Sequence, residues 1–312
     1  MTPTSDRVQI RIPASSANLG PGFDVLAVAL SLHSNLTAAR SESRTFQFHG
    51  DWDPRWDKVL VGMTDVIEDL FYQTTGLERI PISYTLENHV PVARGLGSSA
   101  VIRVGLLKVL NSLNKNPLDT EEMLSLAVRL EGSPDNASAT MLGGLTVSGF
   151  VGGRLRYLRC PITKDLRFVA MVPTAEVTTD QARSIFPKDI GRDDAIGNAS
   201  RLALIIAALT QGQYELLQDL FDDVFHQPQR ERHYPELRAL SAVTSAAREA
   251  GAFGAYLSGS GSTMMAVTLR RPEEVGAAMA EAFNAKSSDT GFSCQILNLC
   301  CDNEGTVLTE DN

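Results

Sequence analysis

Apolar residues recur along this chain at two spacings, every second residue in some stretches and every third or fourth in others. Residues 8–12 alternate polar with apolar side chains, the period of a strand. They run into Pro13-Ala14-Ser15-Ser16-Ala17-Asn18-Leu19-Gly20-Pro21-Gly22, whose composition predicts a loop over 13–22. Residues 25–36 are apolar enough for one or two further strands, and 83–86 predict a short strand before a second glycine-rich loop. Over 100–113 the spacing turns helical, with Val101, Val104, Leu107, Leu110 and Leu113 in register. Thr120, followed by Glu122 and Met123, opens a second helix that ends near Glu131. Pro134 suits the first turn of a third, which Gly143-Gly144 stops.

The second half repeats the mixture. Strands are predicted at 145–150, 155–160 and 168–172, then helices around 179–186, 193–211, 213–225 and 236–250. A strand at 255–257 leads into Ser258-Gly259-Ser260-Gly261-Ser262, and 264–269, 273–283 and 293–299 read as strand, helix, strand. Strands on either side of helical blocks predict an α+β protein with two sheets, divided near residue 160. No repeat of solenoid length is visible.

Composition narrows the function. Hydrophobic residues make up 43% and charged residues 21% of 312, as in a soluble globular protein. A net charge of -9 argues against a broad nucleic-acid surface but not against a local phosphate site. No apolar run reaches the roughly 20 residues that cross a bilayer, and the N-terminal residues do not resemble a signal peptide. Cys160, Cys294, Cys300 and Cys301 form no paired C-x-x-C pattern, so zinc is not expected and reduced thiols in a cytoplasmic protein are.

The run Pro91-Val92-Ala93-Arg94-Gly95-Leu96-Gly97-Ser98-Ser99-Ala100, with Val101 behind it, sits directly before the helix of 100–113. Glycines let the backbone approach a ligand, and a helix N-terminus adds free N–H groups and partial positive charge. Ser98 and Ser99 add hydroxyls that can cap the helix or meet a phosphate or a metal. The run is neither a Walker A loop, since it lacks Gly-Lys-Ser/Thr, nor a dinucleotide fingerprint. Read alone, it is equally a serine-capped helix after a glycine turn.

Its companions decide between these. The run resembles the central motif of the GHMP kinases, and two further motifs of that superfamily follow the expected order: 13–24, ending in Gly22-Phe23-Asp24, and 254–263. The resemblance implies a two-domain fold, with an ATP-binding α+β domain over 1–160 and a ferredoxin-like α/β sandwich over 161–312. It implies ATP as co-substrate, held by residues 91–101, and Mg²⁺ held by Glu131 with Ser98 and Ser99.

Within that superfamily, Ala17-Asn18-Leu19-Gly20-Pro21-Gly22-Phe23-Asp24 resembles the homoserine kinase form. This implies phosphorylation of the L-homoserine side-chain hydroxyl to O-phospho-L-homoserine, in threonine biosynthesis. Asn18 and Asp24 then hold the hydroxyl, although both residues also suit tight turns. Glu131-Gly132-Ser133-Pro134-Asp135-Asn136 matches a family segment in which histidine usually stands where this chain has Ser133. Ser133 keeps one hydrogen bond but cannot carry charge. Thr178-Thr179 and Arg183 match a further segment, and Arg183 lies four residues after Thr179, on the same side of a helix. Arg230 closes His226-Gln227-Pro228-Gln229-Arg230. Arg183 and Arg230 suit the two-pronged grip on a carboxylate, which homoserine has. For catalysis the resemblance points to Asp24, Asn136 and Asp135, the last either a base or a helix cap. The run Asp57-Lys58-Val59-Leu60 is expected near adenine, although the family usually has an asparagine where Lys58 stands. Enzymes of this type are often homodimers. Two other readings stay open: a GHMP kinase with a shikimate- or mevalonate-type acceptor, and a ligand-binding protein on the same fold.

Overall fold

A computed structural model describes residues 6–177, 185 and 189–309. One sheet contains β1 (Arg7–Asn18), β2 (Gly22–Arg40), β3 (Thr45–Gly50), β4 (Ile82–Asn88), β5 (Leu145–Val151), β6 (Arg154–Cys160) and β11 (Val307–Thr309). Its order is β11-β1-β2-β4-β3, and β5 joins β2 to β6. β2 pairs with β1 along most of its length, so its first half can also reach β5 and its second half β4. Four helices belong with this sheet: α1 (Asp57–Thr75), α2 (Ser98–Leu113), α3 (Thr120–Glu131) and α4 (Asp135–Leu142).

The other sheet is antiparallel, with order β10-β7-β9-β8, from β7 (Arg167–Pro173), β8 (Gly254–Leu257), β9 (Met264–Thr268) and β10 (Cys294–Cys300). α7 (Leu240–Glu249) and α8 (Pro272–Ser287) cover one face. α5 (Arg192–Gln211) and α6 (Gln227–His233) complete the described helices. β7 explains why 168–172 reads as an unbroken apolar run. Phe168, Ala170 and Val172 enter the core shared with the first sheet, while Val169 and Met171 enter a second core with Val243, Val275 and Phe283. A strand buried on both faces has no polar side.

Several expected elements take a different form. The segment 13–17 is not a loop: β1 continues to Asn18 through a register shift at Pro13/Ala14, and Ala14, Ser15, Ser16 and Ala17 are buried. A proline fits within a sheet at such an irregularity because no ladder N–H is lost there. The helix expected over 213–225 is reduced to one 3₁₀ turn, Tyr214–Leu217. Asp219 adopts φ +59°, and the Asp223 carboxylate accepts the N–H groups of Phe225, His226 and Gln227, so side-chain bonds replace helical ones. α1, α6, β3 and β11 lie outside the expectations. The helix expected at 179–186 falls outside the described residues, Ile185 apart.

The loop between β10 and β11 locks the end of α4 in place. Gly144 N donates to Asp302 O and Thr306 N to Met141 O, while Asp302 N donates to Ala29 O. Gly143 ends α4 with φ 74° and ψ 173°, and a Cβ there would stand 2.4 Å from Gly305 N. Gly143→Ala is therefore expected to cost about 2–4 kcal/mol, read as a lowered midpoint in urea unfolding, because both the backbone angles and the closeness of the last segment exclude a side chain.

Candidate active site

A cavity of about 360 Å³ lies among α1, the 91–99 loop, the start of α2, the end of α3, the start of α4, the 18–24 turn and α6. Val92, Ala93, Gly95, Gly97, Ser98 and Ser99 line it. Leu96, Ala100 and Val101 are buried behind the loop. Arg94 turns away: its guanidinium donates to the carbonyls of Val92, Pro173 and Thr174 and pairs with Glu176. Gly95 has φ +75°, and a Cβ there would meet Ser258 O at 2.2 Å. The 254–263 segment thus serves mainly as a backstop for the loop, with Gly259 and Ser260 reaching the cavity themselves.

Gly97 is the N-cap of α2, and no side chain caps this end. The first-turn N–H groups therefore face the cavity with the helix's partial positive charge, an anion site. Ser98 Oγ accepts from Ala93 N at 3.4 Å. Ser99 Oγ donates instead to Glu131 Oε1, and Arg103, one turn further along α2, donates to Glu131 Oε2. Ser99 and Glu131 bring two oxygens to one point, a donor set that suits a hard divalent cation completed by water and phosphate.

Across the cavity, Asn18 and Asp24 sit at the two ends of a turn with left-handed backbone, φ +76° and +58°. Asn18 Oδ1 accepts from Asp24 N at 3.4 Å, and its Nδ2 donates to Gly259 O at 3.0 Å. Gly259 O also accepts from Arg230, whose guanidinium lies 5.7 Å from the Phe23 ring centroid. Arg230 is 2% exposed. His226, wholly buried, holds this corner together: its Nε2 bonds Gly20 O at 2.9 Å and its Nδ1 lies 3.4 Å from Arg230 Nη1. Burial first, opposed by the charge of Asp223, pushes the His226 imidazole down to about 4. It is neutral at pH 7 and can accept from Arg230.

Asp135 is the first residue of α4, and Asn136 follows. Asp135 Oδ1 accepts from Ser133 Oγ and from Asn136 N, both at 2.8 Å. Burial, then the nearby charge of Asp24, raises its carboxyl to about 6 despite these two bonds. Asn136 Oδ1 accepts from Ser15 Oγ at 2.9 Å, and Ser15 accepts in turn from Thr140 at 3.0 Å. The chain of hydroxyls fixes the amide at the cavity wall. Thr178, Thr179 and Arg183 lie outside the described residues.

The far end of the cavity is apolar. Val59, Leu60, Met63, Ile102, Trp52 and Trp56 line it. Asp57 accepts the indole N–H of Trp52 at 2.8 Å, so it supports the wall rather than forming it. The tryptophans and Arg103 were not singled out by motif. Arg103 was findable from its place four residues after Ser99 on the predicted helix, but no pattern marks Trp52 and Trp56 as cavity lining.

Residues 60–144 match the GHMP kinases N terminal domain, and 205–285 match the GHMP kinases C terminal domain. The class of protein is thus a two-domain small-molecule kinase. The chain is 35% identical over 299 residues to a homoserine kinase of Moorella thermoacetica, covering 96% of this chain and 99% of that one. It is 37% identical to that of Carboxydothermus hydrogenoformans, over 88% and 90% of the two chains. Its structure superposes on a crystal structure of homoserine kinase from Cytophaga hutchinsonii with TM-score 0.85 and 25% identity, covering 99% of both chains. The chain belongs to the homoserine kinase family of the GHMP kinases.

Asp135→Asn keeps the Oδ1 acceptor and removes the charge. The native carboxyl titrates near 6 against 3.8 for the ordinary group, so its stabilising share is present below pH 3.8 and lost as pH rises through 6. The variant is expected to be about 1–3 kcal/mol more stable than wild type at pH 7.5, with the two converging below pH 4 in scanning calorimetry.

Proposed function

We propose that this chain binds ATP in the cavity and transfers its γ-phosphoryl group to the side-chain hydroxyl of L-homoserine, giving O-phospho-L-homoserine for threonine biosynthesis. The observation that carries this reading is one cavity with an anion-binding helix N-terminus on one side and Asn18, Asp24 and Arg230 on the other. The apolar end, with Trp52, Trp56 and Val59, takes the adenine, and Gly95 to Ser99 take the phosphates. Mg²⁺ on Glu131 and Ser99 would neutralise charge on the β- and γ-phosphates. Ser98 is the less direct metal candidate, because its hydroxyl serves the loop through Ala93 N.

Arg230 suits the carboxylate of the amino acid, and the family resemblance adds Thr179 and Arg183. Asn18 and Asp24 orient the hydroxyl. Phosphoryl transfer of this kind depends mainly on alignment and charge neutralisation, so the proton can leave late, to Asp24. Asp135 shapes the field at the reacting centre and holds Ser133, and Asn136 contributes its fixed amide beside the γ-phosphate. Ser133 is the specific observation that favours a second reading, a shikimate- or mevalonate-type acceptor.

We divide the chain at about residue 160, with β11 returning to the first unit, and place the enzyme in the cytoplasm. A homodimer is the assembly to test by light scattering. Among the described residues no helix is long and apolar enough to cross a membrane.

Incubation with Mg-ATP and homoserine, mevalonate or shikimate is expected to give one phosphorylated product by ³¹P NMR, O-phosphohomoserine. Preference for another acceptor would replace the substrate assignment, and nucleotide binding without ADP formation would replace the kinase assignment. Asp24→Asn is expected to lower kcat about 10²- to 10⁴-fold while ATP affinity changes little, a split that steady-state kinetics resolves.

A further inference from the structure

Arg103 has no part in the roles assigned so far. It stands four residues after Ser99 on α2, so both side chains share one face, and both line the cavity. Its Nη1 pairs with Glu131 Oε2 while Ser99 Oγ occupies Oε1. Glu131 is 8% exposed and Arg103 24%. A carboxylate buried to that degree must be paired, and here the partner is a cation with a long, flexible stem at the edge of the space the phosphates need. Arg94 is committed to Pro173, Thr174 and Glu176, and Arg230 lies at the acceptor side. Among the described lining residues, Arg103 is the cationic side chain on the phosphate-loop side.

Glu131 cannot keep this pairing and also hold a divalent cation. A metal ion at Glu131 would repel the guanidinium, and a triphosphate beside it would attract it. Four residues of α2 rise only ~6 Å, which an arginine side chain spans, so the N-terminus of α2 is within its reach.

We propose that Arg103 is a switched phosphate ligand, which neutralises Glu131 in the metal-free site and moves to the phosphate oxygens when a divalent cation takes Glu131. The proposal rests on the ATP site described above and adds to it a residue whose partner changes during nucleotide loading. Its consequences have opposite signs. Removing Arg103 removes a competitor for Glu131, so a bare divalent cation binds more tightly. It also removes a donor to the phosphates, so ATP binds more weakly. A purely structural role would weaken both.

The full chain carries two tryptophans, Trp52 and Trp56, and both line the cavity, so intrinsic fluorescence reports nucleotide binding without turnover. Wild type, Arg103→Ala and Arg103→Lys would be titrated with ATP in EDTA, with ATP plus Mg²⁺, and with Mn²⁺ alone followed by electron paramagnetic resonance. Arg103→Ala is expected to raise the Kd for ATP in the presence of Mg²⁺ about 10- to 100-fold, the size of a charge-assisted bond, and to bind Mn²⁺ alone about tenfold more tightly. Arg103→Lys, which keeps charge but not the forked geometry, should fall between. Unchanged affinity for ATP in the presence of Mg²⁺ in Arg103→Ala, or Mn²⁺ binding that does not tighten, overturns the proposal. If wild type itself fails to bind ATP, the nucleotide-site reading falls and the Arg103 proposal falls with it; ATP binding by wild type without homoserine phosphorylation overturns only the substrate.

Discussion

The phosphate loop keeps its shape through hydrogen bonds to two segments far from it in sequence. Ser15 N donates to Leu96 O at 3.1 Å and Thr263 N to Arg94 O at 3.0 Å. Ser258 Oγ donates to Gly95 O at 2.6 Å, and Gly259 N donates to Ala17 O at 3.2 Å, which joins the two outer segments to each other. Ser16 adds a side-chain link to Ser258 at 2.7 Å. Each bond is worth only about 1 kcal/mol net, but an unmade partner in so buried a place costs more. The three backbones can meet only where side chains are small, which is why Ala, Ser and Gly make up half or more of each segment. Everything on the loop's outer surface, including the α2 N-terminus and Ser99, inherits its position from this junction.

On the proposed function, the cavity receives a polyanion beside carboxylates of its own. Asp24, Glu131 and Asp135 all line it, in a chain with net charge -9. The strain shows at Asp135, whose carboxyl is raised to about 6 by burial and by Asp24. The compensating charge is local: the helix end, Arg103 on Glu131, and Arg230 against Gly259 O. On that function the site attracts nucleotide by arrangement rather than by net charge, with phosphate and metal loaded together.

Much of this was legible in the sequence because the junction is. Segments at 13–24, 91–100 and 254–263 stand out as runs of small residues where helix and strand patterns stop, and they stand out because they touch. Helices α2, α3 and α4 were legible from their apolar spacing and their glycine stops. α1 carries a readable stripe in Leu60, Ile67 and Phe71, but buried Thr64 and Glu68 interrupt it. Glu68 is tolerable there only because Tyr84, in β4, donates to it at 2.7 Å and Arg44 lies 3.1 Å away, partners that no local pattern reveals. The failed helix at 213–225 has the same origin. Its composition is helical, yet Asp223 is spent on three backbone N–H groups and on Asn198. The Ser99–Glu131–Arg103 contact likewise joins two helices, and only Arg103's spacing from Ser99 lies within one of them.

The two arginines in the cavity show how the site divides its work. Arg230 is 2% exposed, held by Gly259 O, set over Phe23 and backed by a neutral His226 that itself grips Gly20. If Arg230 takes the acceptor's carboxylate as proposed, little freedom remains for it to lose, and the acceptor end gains affinity and selectivity from preorganisation. The Arg103 side chain is 24% exposed and rests on a carboxylate that another cation can claim. A fixed cation at that end would oppose release of the spent nucleotide. One whose partner depends on the metal can grip the nucleotide when it is loaded and return to Glu131 when it leaves. Rigidity where the acceptor is chosen and exchange where the nucleotide turns over are thus written into two residues of the same type, separated by what each is paired with.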